Sequence, residues 1–395
     1  MALSKIDVAN MLTGATPVAN GGTALTSGFQ NGVDPRPSTV PIIQNGDMAV
    51  SQRATSVTGI TDDGYKLCDR WYEYLSSLGT YTFAQEAQTS GNAFNNGFRT
   101  AFRIDCTTAD ASPGASDEFW WGIKLEGQDL QMFKKGSSNA EKFTLAFWVK
   151  SNKTGVGQVN FRDTDNSRMC SGTYTISSAN TWEHKIINIA ADTTGAFTND
   201  NAESLQIQWY LDSGSNYEGG ATPTAWEADS AGDRNASGNL NIGDNTANDW
   251  SITGIQLEVG EFTSSTLPPF QHESFGDNLA RCQRYFETTF EVGTAIGAST
   301  STGIIRSGGN QGGRTSGRMG HGFTYPVPKR SAPTVVFYDN SGNSGALARL
   351  DQGSSTASNK NATLAGGSQK SFEVTSTGDS TADCLNYHFT ADAEL

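Results

Sequence analysis

The chain has 395 residues, enough for two or three domains with substantial cores. Charged residues make up only 17% of it and 44 residues are glycine, which with abundant Ser, Thr and Asn favours strands joined by turns over helices. The net charge of −14, with no Lys/Arg cluster, excludes a nucleic-acid partner, because neutralising phosphates needs such clusters.

No apolar run approaches a membrane span, so no membrane insertion is expected. The opening MALSKIDVAN lacks the apolar core and cleavage site of a signal peptide. The expectation is a protein made in a cytosol that leaves it by assembly or lysis. Cys68, Cys106, Cys170, Cys282 and Cys384 are odd in number and never form a CxxC pair, which reads as free, mostly buried thiols rather than a disulfide framework or zinc site. His184, His272, His321 and His388 are equally scattered, against a metalloenzyme.

In chain order, residues 1–40 are rich in turn formers and cannot order themselves alone. Ile6, Val8, Met11 and Leu12 give this segment something to bury, which favours a docking arm over a bare linker. Residues 41–270 change to short strands between turns. Period-two alternation is visible in FRTAFRIDC, FWWGIKL, KFTLAFWVK, EHKIINIA, SLQIQWYL and DWSITGIQL. The pattern predicts an all-β fold, an antiparallel jelly-roll sandwich. All eight tryptophans fall between Trp71 and Trp250 and mark this region as one domain.

Residues 271–289 then interrupt the strands. PFQHESFGDNLARCQRYF (Pro269–Phe286) gathers His, Glu, Asp and Cys, the types that ligate metals or do acid–base work. Its spacing predicts a structural helix instead. Ser274 and Asp277 form a capping pattern, and Phe275, Leu279, Cys282 and Phe286 form one apolar stripe. Asp277 and Arg281 make an i, i+4 pair worth roughly 0.2–0.5 kcal/mol. His272 and Glu273 precede the cap, off the cysteine's face. Residues 290–395 predict a smaller β domain with long loops and strands at HGFTYPV, PTVVFYD, SFEVT and LNYHFTA.

Several stretches carry a family resemblance. IIQNGDMAVSQRA with DGYKLCDRW resembles the opening of a jelly-roll module of tailed-bacteriophage virion proteins, and WSITGIQLEVGEF through CQRYFE resembles its end. PVANGGT near the start and FTADAEL at residues 389–395 resemble segments of phage tail fibres. The resemblance implies a virion appendage, a tail fibre or related fibre that is generally homotrimeric. Its arm would dock on other virion proteins, and its jelly roll, similar to carbohydrate-binding modules, would adhere to host-surface polysaccharide. The alternatives are a purely structural fibre or decoration protein that docks another receptor-binding protein, and a polysaccharide-cleaving depolymerase.

Sugars are bound by aromatic faces together with planar polar groups and Arg. Alternation turns Phe143, Leu145, Phe147 and Val149 inward and leaves Trp148 outside. By the same rule Trp120 and Lys124 oppose Phe119, Trp121, Ile123 and Leu125, while Gln206, Gln208 and Tyr210 oppose Leu205, Ile207, Trp209 and Leu211. Phe98, Phe102 and Ile104 leave Arg99 and Arg103 opposite. The candidate glycan contacts are therefore Trp120, Trp148, Tyr210, Arg99, Arg103 and Gln208, on one sheet or divided between two. Burial against sister subunits would use the same residue types.

No cofactor is indicated beyond a structural calcium. The carbohydrate-binding resemblance places Asp47 and Glu258 as its candidate ligands, although QLE stands where many such modules have paired aspartates. RDTDNSRM imitates the start of a calcium loop but lacks the turn glycine and distal Glu. Hydrolysis would need two carboxylates across a cleft, and the acids here sit mostly in solvated turns, with no G-x-S-x-G elbow. The sequence thus reads as a binding protein rather than an enzyme.

Overall fold

The structure, a computed structural model, describes residues 40–307, 318–351, 358–377 and 382–395. All but the last residue of the expected docking arm lies outside them. Alternating strands must bury one face, and twelve of them do so in a sandwich: β1 (Ser56–Ile60), β2 (Trp71–Ser76), β3 (Thr80–Ala87), β4 (Thr100–Thr108), β5 (Glu118–Glu126), β6 (Phe143–Ser151), β7 (Gly155–Asp163), β8 (Arg168–Ile176), β9 (Glu183–Ile189), β10 (Glu203–Ser213), β11 (Glu227–Ala228) and β12 (Asp249–Val259). Sheet A has the order β1-β3-β4-β12-β6-β9 and sheet B the order β11-β8-β7-β10-β5-β2. Their ladders are antiparallel.

The inward sets expected on β5, β6 and β10 all lie in the core between the sheets. At its centre Trp71 stacks on Trp121 at 4.3 Å, and Trp209 and Trp250 approach Trp121 at 5.5 and 5.6 Å. Such aromatic pairs contribute about 0.5–1.5 kcal/mol each beyond the area they bury. Phe98 departs from expectation. It precedes β4, on the turn after the short helix α1 (Gly91–Asn95), so strand alternation does not reach it. It packs outside the sandwich with Ala93, Ala101 and Trp182.

Helix α2 (Phe275–Gln283) begins where the capping pattern predicts, with Ser274 Oγ accepting from the Asp277 amide at 3.2 Å. Of the expected stripe, Cys282 and Phe286 are buried and Leu279 is partly buried, but Phe275 is half exposed. Asn278 and Tyr285 are buried beside them, so the buried side is turned away from Phe275. Arg281 pairs with Glu273 at 2.6 Å, not with Asp277, because Pro41 O at 2.6 Å draws its guanidinium toward the incoming chain.

Beyond α2 lies a second β unit: β13 (Phe286–Thr288), β14 (Ile305–Arg306), β15 (Arg318–Thr324), β16 (Thr334–Tyr338), β17 (Ala346–Asp351), β18 (Ser358–Gly367), β19 (Ser371–Thr377) and β20 (Ala382–Asp392). β20 is its spine, pairing with β13, β14, β16 and β17. A separate core gathers Tyr325, Phe337, Phe372, Tyr387 and Phe389.

The two β units are joined through buried charge. The Arg70 guanidinium is fully buried, ion-paired with Glu394, bonded to Gln44 Oε1 at 2.9 Å and stacked 3.4 Å from the Tyr285 ring. Arg53 lies 3.7 Å over Phe286 and reaches Asp69, Asp392 and Glu394. Arg284 grips Glu126 with two bonds of 2.8 and 2.7 Å, and Arg330 donates to Asn201 O at 2.7 Å and Glu394 O at 2.9 Å. Gln44, Arg53, Asp69, Arg70, Arg284, Tyr285, Asp392 and Glu394, which belong to resemblance-bearing stretches among the described residues, thus meet here, as the joint between domains.

Candidate functional site

The residues expected to face outward divide between the two sheets. Trp148 on β6, Arg103 on β4 and Arg99 just before it belong to the outer side of sheet A. Trp120 on β5 and Gln208 and Tyr210 on β10 belong to that of sheet B.

Sheet B's outer side is covered. The chain after β10 folds back over it, with Gln158 and Asn160 side-chain amides donating to Asp233 O and Arg234 O at 2.7 Å each. Beneath it Tyr210 and Gln208 are fully buried. Tyr210 donates its hydroxyl proton to Glu118, and Gln208 Nε2 donates to Gln206 Oε1 at 2.6 Å. Trp120 is 5% exposed, stacked on Tyr74 at 5.7 Å and flanked by Tyr72 at 5.4 Å. None of the three faces solvent as expected. Alternation tells which side of a sheet a residue occupies, but not whether distant chain covers that side.

Among the described residues, sheet A's outer side is open in two basins, separated by α1. Ala93 of α1 packs with Phe98, Ala101 and Trp182, and Trp148 and Phe270 lie alongside. The first basin, a cavity of about 400 Å³, is lined by Trp148, His184, Phe98, Phe270, His272, Asn96 and Gln256. Register places Trp148 opposite His184, and their rings stack at 4.9 Å with Trp148 half buried. Phe98 and Phe270 meet edge to face at 4.9 Å, and His272 packs on Phe270 at 4.8 Å.

Local sequence builds this basin. β12 carries a bulge between Thr253 and Gln256, where Gly254 adopts φ +62°. A Cβ there would lie 2.6 Å from the Phe98 ring, so only glycine lets Phe98 lie down on the sheet. Gln256 Nε2 donates to Pro268 O at 3.0 Å and ties the Pro269–His272 segment over the sheet as a wall. Gln256, on the outer side of β12, thus positions that wall. The neighbouring side chains partly desolvate the imidazole of His184, although it keeps an exposed edge, and this holds its pKa below the usual value.

The second basin, about 370 Å³, is lined by Glu86, Gln88, Asn92, Lys150, Asn180 and Trp182. Trp182 Nε1 donates to Gln88 Oε1 at 2.9 Å, and Lys150 Nζ sits 5.1 Å over its ring and 3.4 Å from Glu86. Arg103 is a hub beside this basin, pairing with Asp105 at 2.7 Å and with Glu86 and Asp249 at 3.2 Å each. Burial works against ionising Glu86, yet Gln88, Lys150 and Arg103 together hold it below the ordinary carboxylate range. Arg99 is exposed and braces the α1 turn, donating to Phe94 O at 2.8 Å with its guanidinium 4.0 Å from the Phe94 ring.

Sequence reasoning finds Trp148 but misses His184, Phe98, Phe270, His272 and Trp182. Phe270 and His272 stand in the Pro269–Phe286 stretch, ahead of its helix. Their role depends on the long-range tie to Gln256, which no local pattern announces.

The candidate calcium ligands do not form a fitting set. Asp47 Oδ1 accepts from the Ala49 amide and from Asn278 Nδ2, both at 3.4 Å. An amide donor beside that oxygen suits a capped carboxylate better than a cation that takes six to eight oxygens. Glu258 is buried on β12, opposite Thr144 of β6. Among the described residues no three His, Cys, Asp or Glu side chains gather where a metal could be held. A larger hollow of about 790 Å³ lies between the two β units, but its Arg53 and Asp392 already belong to the joint.

No family model matches the sequence, and no curated protein does. Among solved structures, the chain is similar to the enzymatically active domain of tailspike protein 4 of bacteriophage CBA120, at 11% identity over 56% of this chain and 21% of that one, with a TM-score of 0.27. It thus spans about a fifth of that chain's length. It is also similar to a putative sugar-binding protein from Bacteroides thetaiotaomicron, at 12% identity over 56% of this chain and all of that one (100%), with a TM-score of 0.29. A family 11 carbohydrate-binding module from Clostridium thermocellum matches at 9% identity over 53% and 98% of the two chains, with a TM-score of 0.25. Likenesses this slight carry no ligand or role over to this chain. The geometry of sheet A has to carry the function.

Proposed function

We propose that this protein is an adhesive module that binds a glycan on the outer side of sheet A. The observation that carries the reading is the stacked Trp148–His184 pair, half exposed beside a cavity whose other walls are Phe98, Phe270 and His272 with the amides of Asn96 and Gln256. Aromatic rings take the apolar face of a pyranose, and amides exchange hydrogen bonds with its hydroxyls. The nearby acids suit binding rather than cleavage. Glu86 is held ionised by the Gln88 amide together with Lys150 and Arg103, whereas a general acid needs its pKa raised.

The family resemblance supports placing this module on a phage virion appendage. In that setting it would be a homotrimer, docked through residues 1–40 on other virion proteins and adhering to host-surface polysaccharide. Weak sites on linked copies would raise avidity by about 10²–10⁴. Several of the resemblance-bearing residues, Arg53, Arg70, Tyr285 and Glu394 among them, sit at the joint between domains, which favours the purely structural fibre as the second reading.

The test is binding of labelled full-length protein to host cells, comparing wild type with a Trp148→Ala, His184→Ala variant of the same oligomeric mass. Binding lost only in the variant is the expected result. Equal binding by both would move the adhesive site off the Trp148 basin, and no binding by intact wild type would leave the structural fibre.

A further inference from the structure

We infer that the sheet A site takes a neutral glycan, one whose contacting units carry no carboxylate, sulfate or phosphate. The inference rests on the adhesive reading above and gives it a ligand class. Among the described residues, the lining of the Trp148 basin contains no Asp, Glu, Lys or Arg. Its ionisable side chains are the imidazoles of His184 and His272. In the neighbouring basin the two charged linings, Glu86 and Lys150, face each other at 3.4 Å. Arg103 beside it is taken by Glu86, Asp105 and Asp249.

An anionic sugar would therefore desolvate its charge with no free counter-ion among the described residues that line either basin. Burying an unpaired ionised group is strongly unfavourable, so such a unit would be excluded from the cavity. The far field acts in the same sense, because a chain of net charge −14 repels a polyanion before contact. A neutral hexose meets neither obstacle. Its C–H face lies on Trp148, and its hydroxyls find Asn96, Gln256 and the imidazole nitrogens, which donate and accept.

The test uses the full chain on an arrayed panel of bacterial oligosaccharides, half neutral and half bearing uronate, sialate or sulfate groups, read at about 20 and 150 mM salt. The Trp148→Ala variant is run in parallel. The expected binders are neutral, insensitive to salt, and weakened at least tenfold in the variant. Acidic binders that weaken with salt and depend on Trp148 would overturn the neutral class while leaving the adhesive reading intact. Binding to neither class by protein of native mass would remove the adhesive reading itself. One acidic polysaccharide chemically reduced at its carboxyl groups gives a matched control, expected to bind no worse than its parent.

Discussion

Arg70 and Glu394 lie 324 residues apart in sequence and form an ion pair in which both side chains are almost fully buried. The pair fixes the second β unit to the sandwich, and Tyr285 from the end of α2 stacks on its guanidinium. Nearby attractive partners keep Arg70 charged in spite of burial, Glu394 foremost among them. Removing one partner strands the other. Arg70→Ala or Glu394→Ala is expected to destabilise the chain by roughly 3–5 kcal/mol, read by denaturant unfolding. Arg70→Met with Glu394→Leu should recover much of that loss, since a well-packed apolar pair avoids the stranded charge. A double variant as unstable as the sum of the singles would show that the two residues act independently.

Tyr210 supplies a control on the two faces. Alternation makes it a natural glycan candidate, yet it is buried under the chain that crosses sheet B and donates to Glu118. Tyr210→Phe leaves that carboxylate short of a donor and is expected to lower stability by about 1–3 kcal/mol. Glycan binding per folded molecule should not change. A loss of binding in a stably folded Tyr210→Phe variant would place the ligand on sheet B.

Much of the fold was legible because strands with a buried face must alternate. The inward sets of β5, β6 and β10 follow from spacing alone, as does the start of α2 at Ser274. The site was legible in one residue, Trp148. Its partners come from β9, from the turn after α1 and from the segment before α2, and long-range register brings them together. Cover was equally hidden. Nothing local to β10 tells that chain beyond residue 213 returns over Tyr210 while leaving Trp148 open. Phe98 failed for a third reason: a turn and not a strand sets its direction.

Asp212 gives a pH test of the sandwich core. Burial pushes its carboxyl up from 3.8 to about 7, although the Gly243 and Ser213 amides donate to it. In the folded chain it therefore holds a proton that the unfolded chain releases between about pH 4 and 7. A group whose folded pKa is raised makes the fold less stable as pH rises through that window. Asp212→Asn removes the titration. The stability of wild type relative to this variant should fall by a few kcal/mol between pH 5 and pH 8, measured by urea unfolding at each pH. A difference that stays constant with pH would mean that Asp212 does not titrate in this range.

Gly254 links the strand bulge to the site, and a second glycine separates strain from collision. Gly59 has φ +73° with nothing within 4 Å of the Cβ that an alanine would add, whereas Gly254 has φ +62° with the Phe98 ring at 2.6 Å. Gly59→Ala should show only the backbone penalty of about 1–2 kcal/mol for a left-handed residue. Gly254→Ala carries that penalty and must also displace Phe98, which holds Phe270 edge to face. Its stability loss should exceed that of Gly59→Ala by at least 1 kcal/mol, in the range of about 1–3 kcal/mol for overpacking. Because Phe98 and Phe270 wall the Trp148 basin, glycan affinity should fall in Gly254→Ala and hold in Gly59→Ala. Equal affinities in two well-folded variants would detach the basin from binding, since the bulge and the ligand would then have no wall in common.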